Sequence, residues 1–315
     1  MGLRVVFFGT PAFAVPALEA LVRSSHSVIG VVTQPDKPRG RGQQVTAAPV
    51  KAFATTHHLP VLQPARLARD LFEPAFTVLG ADIGVVAAYG KILPDWLLAA
   101  PRLGLINLHA SLLPSYRGAS PIHRAVMAGD VETGVTIMRV ITALDAGPTI
   151  AQARRAIGPD ETAVEVERGL ALVGAPLVVS TLDRMAVGPV VETPQDDALA
   201  TLAPRLTKAD GAVHWARPAR AIHNQVRGLT PWPHAYAFLG GERVILHRSH
   251  APDRISDRPP GTVVSASAAD GVLVACGDGR LLELVDIQFE GRRLVPARAA
   301  AAGGAILADA RFDTA

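Results

Sequence analysis

Leu3-Arg4-Val5-Val6-Phe7-Phe8-Gly9 is an almost unbroken apolar, β-rich run that stops at Thr10-Pro11. A strand with no polar face has to be covered on both sides, which is the position of a central strand in a parallel sheet. From Pro11 to Val22 the apolar residues Phe13, Val15, Leu18, Leu21 and Val22 then fall at roughly helical spacing. The alternation continues. Val28 to Thr33 reads as a strand, a helix starts near Pro49, a short strand lies near Val61, and Asp82 to Ala88 is another strand; only the stretch before Asp82 has no clear period. Strand and helix in turn predict an α/β fold, a parallel sheet with helices on both faces. The first turn, Gly9 to Ala14, lacks the later glycines of a dinucleotide fingerprint, which argues against a nicotinamide cofactor.

At 315 residues the chain is long for one core, so two domains are expected. About half the residues are hydrophobic and 19% are charged, which excludes a disordered chain. The lone cysteine, Cys276, rules out an internal disulfide and a cysteine-based zinc site, and fits a reducing cytoplasm. The start of the chain is read as folded protein and not as a signal peptide, because Gly9-Thr10-Pro11 breaks its apolar stretch early. Val6 stands where a myristoylation signal needs Ser or Thr. No apolar run is read as long enough to cross a bilayer, and a monomer without membrane contact is expected.

Charge is uneven. Residues 1–204 carry 17 basic and 17 acidic side chains, whereas residues 205–315 carry 14 and 11. Between Arg205 and Arg248 seven basic residues face only Asp210 and Glu242, which suits a polyanionic partner or an ordinary solvated face. The loop from Gln34 to Ala48 interleaves Lys37, Arg39 and Arg41 with Gly40 and Gly42, mobile cations suited to phosphates.

Thr162 to Met185 reads as one long helix, and the Pro-containing stretch 189–205 as a linker. Short runs at Ala235–Leu239, Arg243–His247, Gly261–Ser265, Val272–Ala275 and Leu281–Ile287, separated by Gly and Asp turns, carry a small β-barrel signature. The domains are thus expected at 1–188 and 206–315.

The candidate site is Asn107-Leu-His-Ala-Ser-Leu-Leu-Pro-Ser-Tyr-Arg-Gly118, which follows a short apolar run, and Ser120 with Pro121 is expected to start the next helix. An Asn amide can donate to an oxyanion, an imidazole can exchange a proton, and a carboxylate can orient the imidazole. Asn107, His109 and Asp145, the last on a turn between two strands, could therefore support attack on a carbonyl carbon with no protein nucleophile. Ser111 lacks the glycines of a nucleophile elbow. The ten histidines show no zinc spacing, so no metal is expected.

Asn107-Leu-His109, Ser111-Leu-Leu-Pro114, Arg117-Gly118 and Leu144-Asp145-Ala-Gly147 resemble the signature of the formyltransferases that use 10-formyltetrahydrofolate. Gly9-Thr-Pro11, Gln34-Pro-Asp36, Gly40-Arg-Gly42, Pro49-Val-Lys51, Ala88-Tyr-Gly90 and Pro231-Trp-Pro233 extend the resemblance over most of the chain, toward the branch that formylates initiator methionyl-tRNA. The resemblance implies a Rossmann-like parallel-sheet domain followed by an OB-like β-barrel domain that holds tRNA. It implies catalytic roles for Asn107, His109 and Asp145, and a folate pocket bordered by Ser111, Leu112, Leu113 and Pro114 with Ala88, Tyr89, Gly90, Ile92 and Leu93. It also implies contacts from Lys37, Arg39 and Arg41 to the tRNA acceptor end. A relative acting on a small amine, or an RNA-binding module without catalysis, remains the alternative.

Overall fold

The apolar run at the start of the chain is β1 (Arg4–Gly9), and Val5 to Phe8 are completely buried. The structure is a computed structural model and describes residues 2–39 and 44–313. After β1 come α1 (Val15–Val22), β2 (Ser27–Val32), β3 (Lys37–Arg39), β4 (Gln44–Thr46) and α2 (Pro49–Thr56). β5 (Val61–Leu62), α3 (Arg69–Thr77), β6 (Ile83–Ala87), α4 (Asp95–Ala99) and β7 (Leu105–His109) follow. Next are α5 (Pro121–Ala128), β8 (Glu132–Arg139), β9 (Thr149–Ala156) and α6 (Ala163–Val187).

Two units are distinguished. The first comprises Met1–Gly118, Glu132–Ala156 and Glu167–Ala203, and holds a seven-stranded sheet in the order β5-β2-β1-β6-β7-β8-β9. β5 through β7 are parallel, as expected, but β8 runs antiparallel to both of its neighbours, β7 and β9. The helix between β7 and β8 explains the reversal. α5 belongs to the other unit, so no helix of the first unit provides the crossover that a parallel β8 would need. β1 lies between β2 and β6, and the chain leaves β1 on one side and returns on the other. The carboxyl ends of β1 and β6 therefore mark a topological switch point, where an open α/β sheet offers a crevice.

Three local expectations change. The loop from Gln34 to Ala48 contains the antiparallel pair β3–β4, with Lys37 opposite Thr46; both segments are polar, so no alternating pattern announced them. The stretch without a clear period holds α3, whose Phe72 and Phe76 lie one turn apart in the core with Phe8 and Trp96. α6 is 25 residues long, with a mean hydropathy of 1.5 over its most apolar window, and by length and composition it could cross a membrane. Here it acts as a core helix: Val166, Leu170, Ala171, Val178 and Leu182 are buried, and a Cβ on Gly174 would lie 2.9 Å from Leu108 of β7. Its start is a reciprocal cap between Thr162 and Glu165.

The second unit comprises Ala119–Val131, Ile157–Val166 and Pro204–Ala315. Its elements after α6 are α7 (Ala219–Gly228), β10 (Ala235–Leu239), β11 (Glu242–His250), β12 (Val263–Ser267), β13 (Gly271–Ala275) and β14 (Leu281–Phe289). β15 (Val295–Pro296), α8 (Ala297–Ala302) and β16 (Phe312–Asp313) end it. The sheet runs β12-β13-β14-β11-β10-β16, and β15 pairs with β14. It curls on itself: residues 309–312 bond Gly261 and Val263 beside β12, while β16 pairs with β10, so the two ends of the sheet approach each other. Trp215, Ile222, Val226, Leu246, Leu282 and Phe312 fill the interior, and Cys276 is a small buried residue there.

Polar groups on α7 recruit the remaining segments of this unit. Arg227 donates to the carbonyls of Gly158 and Glu161, and His223 to the carbonyl of Pro159. α5 seats against α7 where His123 meets the Gly228 carbonyl, 2.7 Å away. Pro121 opens α5 as expected, whereas Ser120 makes no side-chain cap. Arg124 on α5 is instead paired with Asp210.

Candidate functional site

β7 presents the site. Asn107 and His109 are two apart on one strand and so share a face, with β6 on one side and β8 on the other, where His109 is opposite Thr136. His109 is 6% exposed, and its Nε2 lies 3.0 Å from the Tyr116 carbonyl. A carbonyl only accepts, so Nε2 carries the proton and Nδ1 is the working face of the ring. Nδ1 stands 3.7 Å from Asp145 Oδ2, longer than a hydrogen bond, and the same carboxylate oxygen accepts from the Gly118 amide at 2.9 Å. Asp145 sits in the β8–β9 turn with φ +49°. The structure thus brings His109 and Asp145 together, with Asn107 two residues away on the same strand.

The segment after His109 is locked from beneath. Thr136, fully buried on β8, donates to the Ser111 carbonyl at 2.7 Å and accepts from the Leu113 amide at 3.1 Å. Gln152 on β9 reaches the Leu113 carbonyl and the same hydroxyl. The Ser111 hydroxyl donates to the Ser115 carbonyl at 2.6 Å and is occupied within its own turn. Leu113 is buried, whereas Leu112 and Pro114 are half-buried or less.

On the other side of β7, the loop after β6 divides by side chain. Ala88, Gly90 and Ile92 are exposed, while Tyr89 and Leu93 point into the core with Phe8, Phe72 and Phe76. Ala88 and Gly90 are both left-handed, at φ +47° and +78°, and a Cβ on Gly90 would lie 2.7 Å from Gln34 Nε2. The Tyr89 hydroxyl has no partner among the described residues, and burial pushes it up to about 12. Asp95 of α4 accepts from Thr142 at 2.8 Å, which ties this loop region to the turn bearing Ile141, Leu144 and Asp145. Ile92, Ile141 and Leu144 are large exposed apolar side chains.

A cavity of about 250 Å³ opens at the switch point, between Thr10-Pro11 after β1, Gln34 to Lys37 after β2, and Ala88 to Gly90 after β6. Gln34 spans it, donating to the Tyr89 carbonyl and accepting from Lys37. Asp36 is paired with Lys51 and bonded by Gln63; Lys51, then Gln63, hold its carboxyl below the usual range. Lys91 donates to the carbonyls of Pro64 and Ala65, and burial, then the neighbouring Lys37, lowers its ammonium. Among the expected phosphate contacts, Lys37 is exposed, only the backbone of Arg39 is described, in β3, and Arg41 lies outside the described residues. No cluster of three or more metal-ligating side chains occurs among the described residues.

The residues that sequence reasoning missed are the supports: buried Thr136, Gln152, Thr142 with Asp95 at the surface, and Gln195, which bonds the carbonyls of Asp145 and Gly147. Polar residues that bond backbone groups far away in sequence leave no spacing to detect.

Comparison with known proteins places these features in a family. The Formyl transferase profile matches residues 3–182, and the Formyl transferase, C-terminal domain profile matches residues 205–304. A methionyl-tRNA formyltransferase of Acidobacterium capsulatum is 48% identical over 295 residues, covering 93% of this chain and 94% of its own. One from Synechococcus sp. strain JA-3-3Ab is 44% identical, covering 99% and 98%. Among solved structures, an N-formyltransferase of Helicobacter canadensis in complex with folinic acid and dTDP-3-aminofucose superposes with a TM-score of 0.67 at 17% identity, over 90% of this chain and 98% of that one. HypX from Aquifex aeolicus, in complex with tetrahydrofolic acid, gives 0.63 at 14% identity, over 95% and 47%.

Proposed function

Since the chain belongs to the methionyl-tRNA formyltransferase family, we propose that it transfers the formyl group of 10-formyltetrahydrofolate to the α-amino group of methionine on initiator tRNA. The observation that carries this reading is the imidazole of His109, held through Nε2 by the Tyr116 carbonyl, with Nδ1 turned toward Asp145 and Asn107 on the same strand.

The residues suit the donor. Ile92, Ile141 and Leu144 offer exposed apolar surface to a flat pterin, and the Ser111–Pro114 segment, stiffened by Thr136, forms a second wall. When bound, the folate supplies a formyl carbon on an amide-like nitrogen. The amine attacks that carbon, the carbonyl electron pair moves to oxygen, and the carbon–nitrogen bond to the folate breaks as that nitrogen takes a proton. The Asn107 amide donates to the developing oxyanion, an interaction worth roughly 3–4 kcal/mol in comparable oxyanion holes. His109 Nδ1 exchanges the proton that the amine loses, and Asp145 stabilises the imidazolium and passes the proton on through water.

The acceptor end fits the neighbouring cavity at the switch point, with Lys37 at its edge and Arg39 and Arg41 on the same loop for phosphates. The barrel holds the tRNA body. The protein works as a monomer in the cytoplasm, where translation starts.

The test is formyl transfer from 10-formyltetrahydrofolate to methionyl initiator tRNA and to small amines in parallel, in single turnover. Asn107→Ala and Asp145→Ala should each slow transfer by roughly 100-fold or more, with folate affinity little changed. Near-normal rates in both variants would sink the site assignment. Transfer to small amines alone would move the acceptor to that class, and absence of any transfer with tRNA binding retained would leave an RNA-binding module.

A further inference from the structure

Residues 189–203 have the composition of a linker but lie along the first unit, where they grip the two turns that border His109. Thr193 pairs with Thr149 at the start of β9 through two backbone bonds of 2.8 Å. Further on, the Thr201 carbonyl accepts from the Arg117 amide, the Arg117 carbonyl accepts from Ala203, and the Thr201 hydroxyl accepts from the Tyr116 amide. Tyr116 supplies the carbonyl that holds His109 Nε2, so this grip sets the imidazole.

Gln195 links that grip to the other turn. Its Nε2 donates to the carbonyls of Asp145, at 2.8 Å, and Gly147, at 2.7 Å, while its Oε1 accepts from Arg117 Nε at 3.0 Å. Only this orientation of the amide works, since the flipped form would set its oxygen against two carbonyls and its N–H groups against a guanidinium. Arg117 is 9% exposed and is fixed from the far side by Asp197, 2.8 Å away. The turn needs such support. Asp145 is left-handed at φ +49°, and a Cβ on Gly147 would come within 2.0 Å of the Arg139 carbonyl, so the turn lies tight against the end of β8.

We infer that Gln195 is a positioning residue for formyl transfer: by tying Asp145 and Gly147 to Arg117 it sets the approach of the Asp145 carboxylate to His109 Nδ1. The inference rests on the catalytic reading of His109 and Asp145 proposed above. It acts through another residue and touches no substrate, so its signature is a change in turnover without a change in binding.

The test uses the full chain with 10-formyltetrahydrofolate and methionyl initiator tRNA. Gln195→Glu keeps an acceptor for Arg117 but turns a carboxylate on two carbonyls; Gln195→Met, of similar length, removes both functions and serves should the first variant unfold. Thermal melting and tetrahydrofolate binding check the fold. In each folded variant kcat should fall roughly 10- to 100-fold, the range expected for a small misplacement of a reacting group, with KM for both substrates within about threefold. Combined with Asp145→Asn, Gln195→Glu should slow the reaction no further than Asp145→Asn alone, because the two act as one unit. Unchanged kcat, a rise in KM that accounts for the loss, or additive losses in the double variant overturn the inference while the catalytic reading stands. Normal turnover by Asp145→Asn overturns that reading and this inference with it.

Discussion

Replacing Thr136 by valine tests the support under the site most directly, because the two side chains have nearly the same shape and no cavity is left behind. The hydroxyl makes three bonds in a fully buried position: it donates to the Ser111 carbonyl and accepts from the Leu113 amide and Gln152 Nε2. Gln152 retains the Leu113 carbonyl as a partner, so the groups orphaned by Thr136→Val are the Ser111 carbonyl and the Leu113 amide. At ~1–3 kcal/mol for each of the two orphaned groups the expected loss is about 2–6 kcal/mol. For a unit of this size that lowers Tm by roughly 4–24 °C. Urea unfolding followed by circular dichroism measures the loss, and hydrogen exchange should show the Leu113 amide exposed in the variant. Under the proposed function, tetrahydrofolate binding also weakens by about tenfold, or ~1.4 kcal/mol, since the segment is one wall of its pocket. A stability loss below about 1 kcal/mol, with the Leu113 amide still protected, would refute the claim that Thr136 holds this segment.

Two further outcomes concern buried polar groups. His234, at φ +66°, is driven down to about 4 from 6.5 by burial and by His247, whose ring lies 4.3 Å away. Its neutral form is favoured in the native state, so its stability contribution is whole above pH 6.5 and declines as pH falls toward 4, by up to roughly 3 kcal/mol at 1.36 per pH unit. Urea midpoints of His234→Gln should therefore vary less than those of the parent across that window; parallel pH profiles would show that another group titrates. Tyr89→Phe removes a buried hydroxyl that has no partner among the described residues and should stabilise the first unit by about 1 kcal/mol. A lower urea midpoint would show that the hydroxyl is engaged after all.

The start of the fold was legible because the β1 run has no polar face and because periodicity changes from strand to helix at Pro11. The antiparallel β8 was not, since the helical pattern at Pro121–Ala128 looks like a crossover wherever that helix packs. The strands of the second unit were legible from their turns, but the curl of its sheet depends on backbone bonds from residues 309–312 to Gly261 and Val263, which no side-chain pattern encodes. In the site, Asn107, His109 and Asp145 stood out by chemical type and neighbourhood. Their partners did not: His109 is held by the backbone carbonyl of Tyr116, and the Asp145 turn by Gln195, fifty residues away in a segment whose composition suggests a tether.

The interleaving of the two units also imposes an order on synthesis. A ribosome lays down α5 roughly ninety residues ahead of α7, the helix it packs on. The first unit has its last strand, β9, and most of α6 in hand while His123 and Met127 of α5, which meet Gly228 of α7 in the finished protein, still await that helix. During that interval the side of α5 that meets α7 has no partner helix to pack on. For the same reason a fragment cut at the apparent domain boundary, beginning near Arg205, would leave behind a helix that belongs to its own unit and packs on its α7.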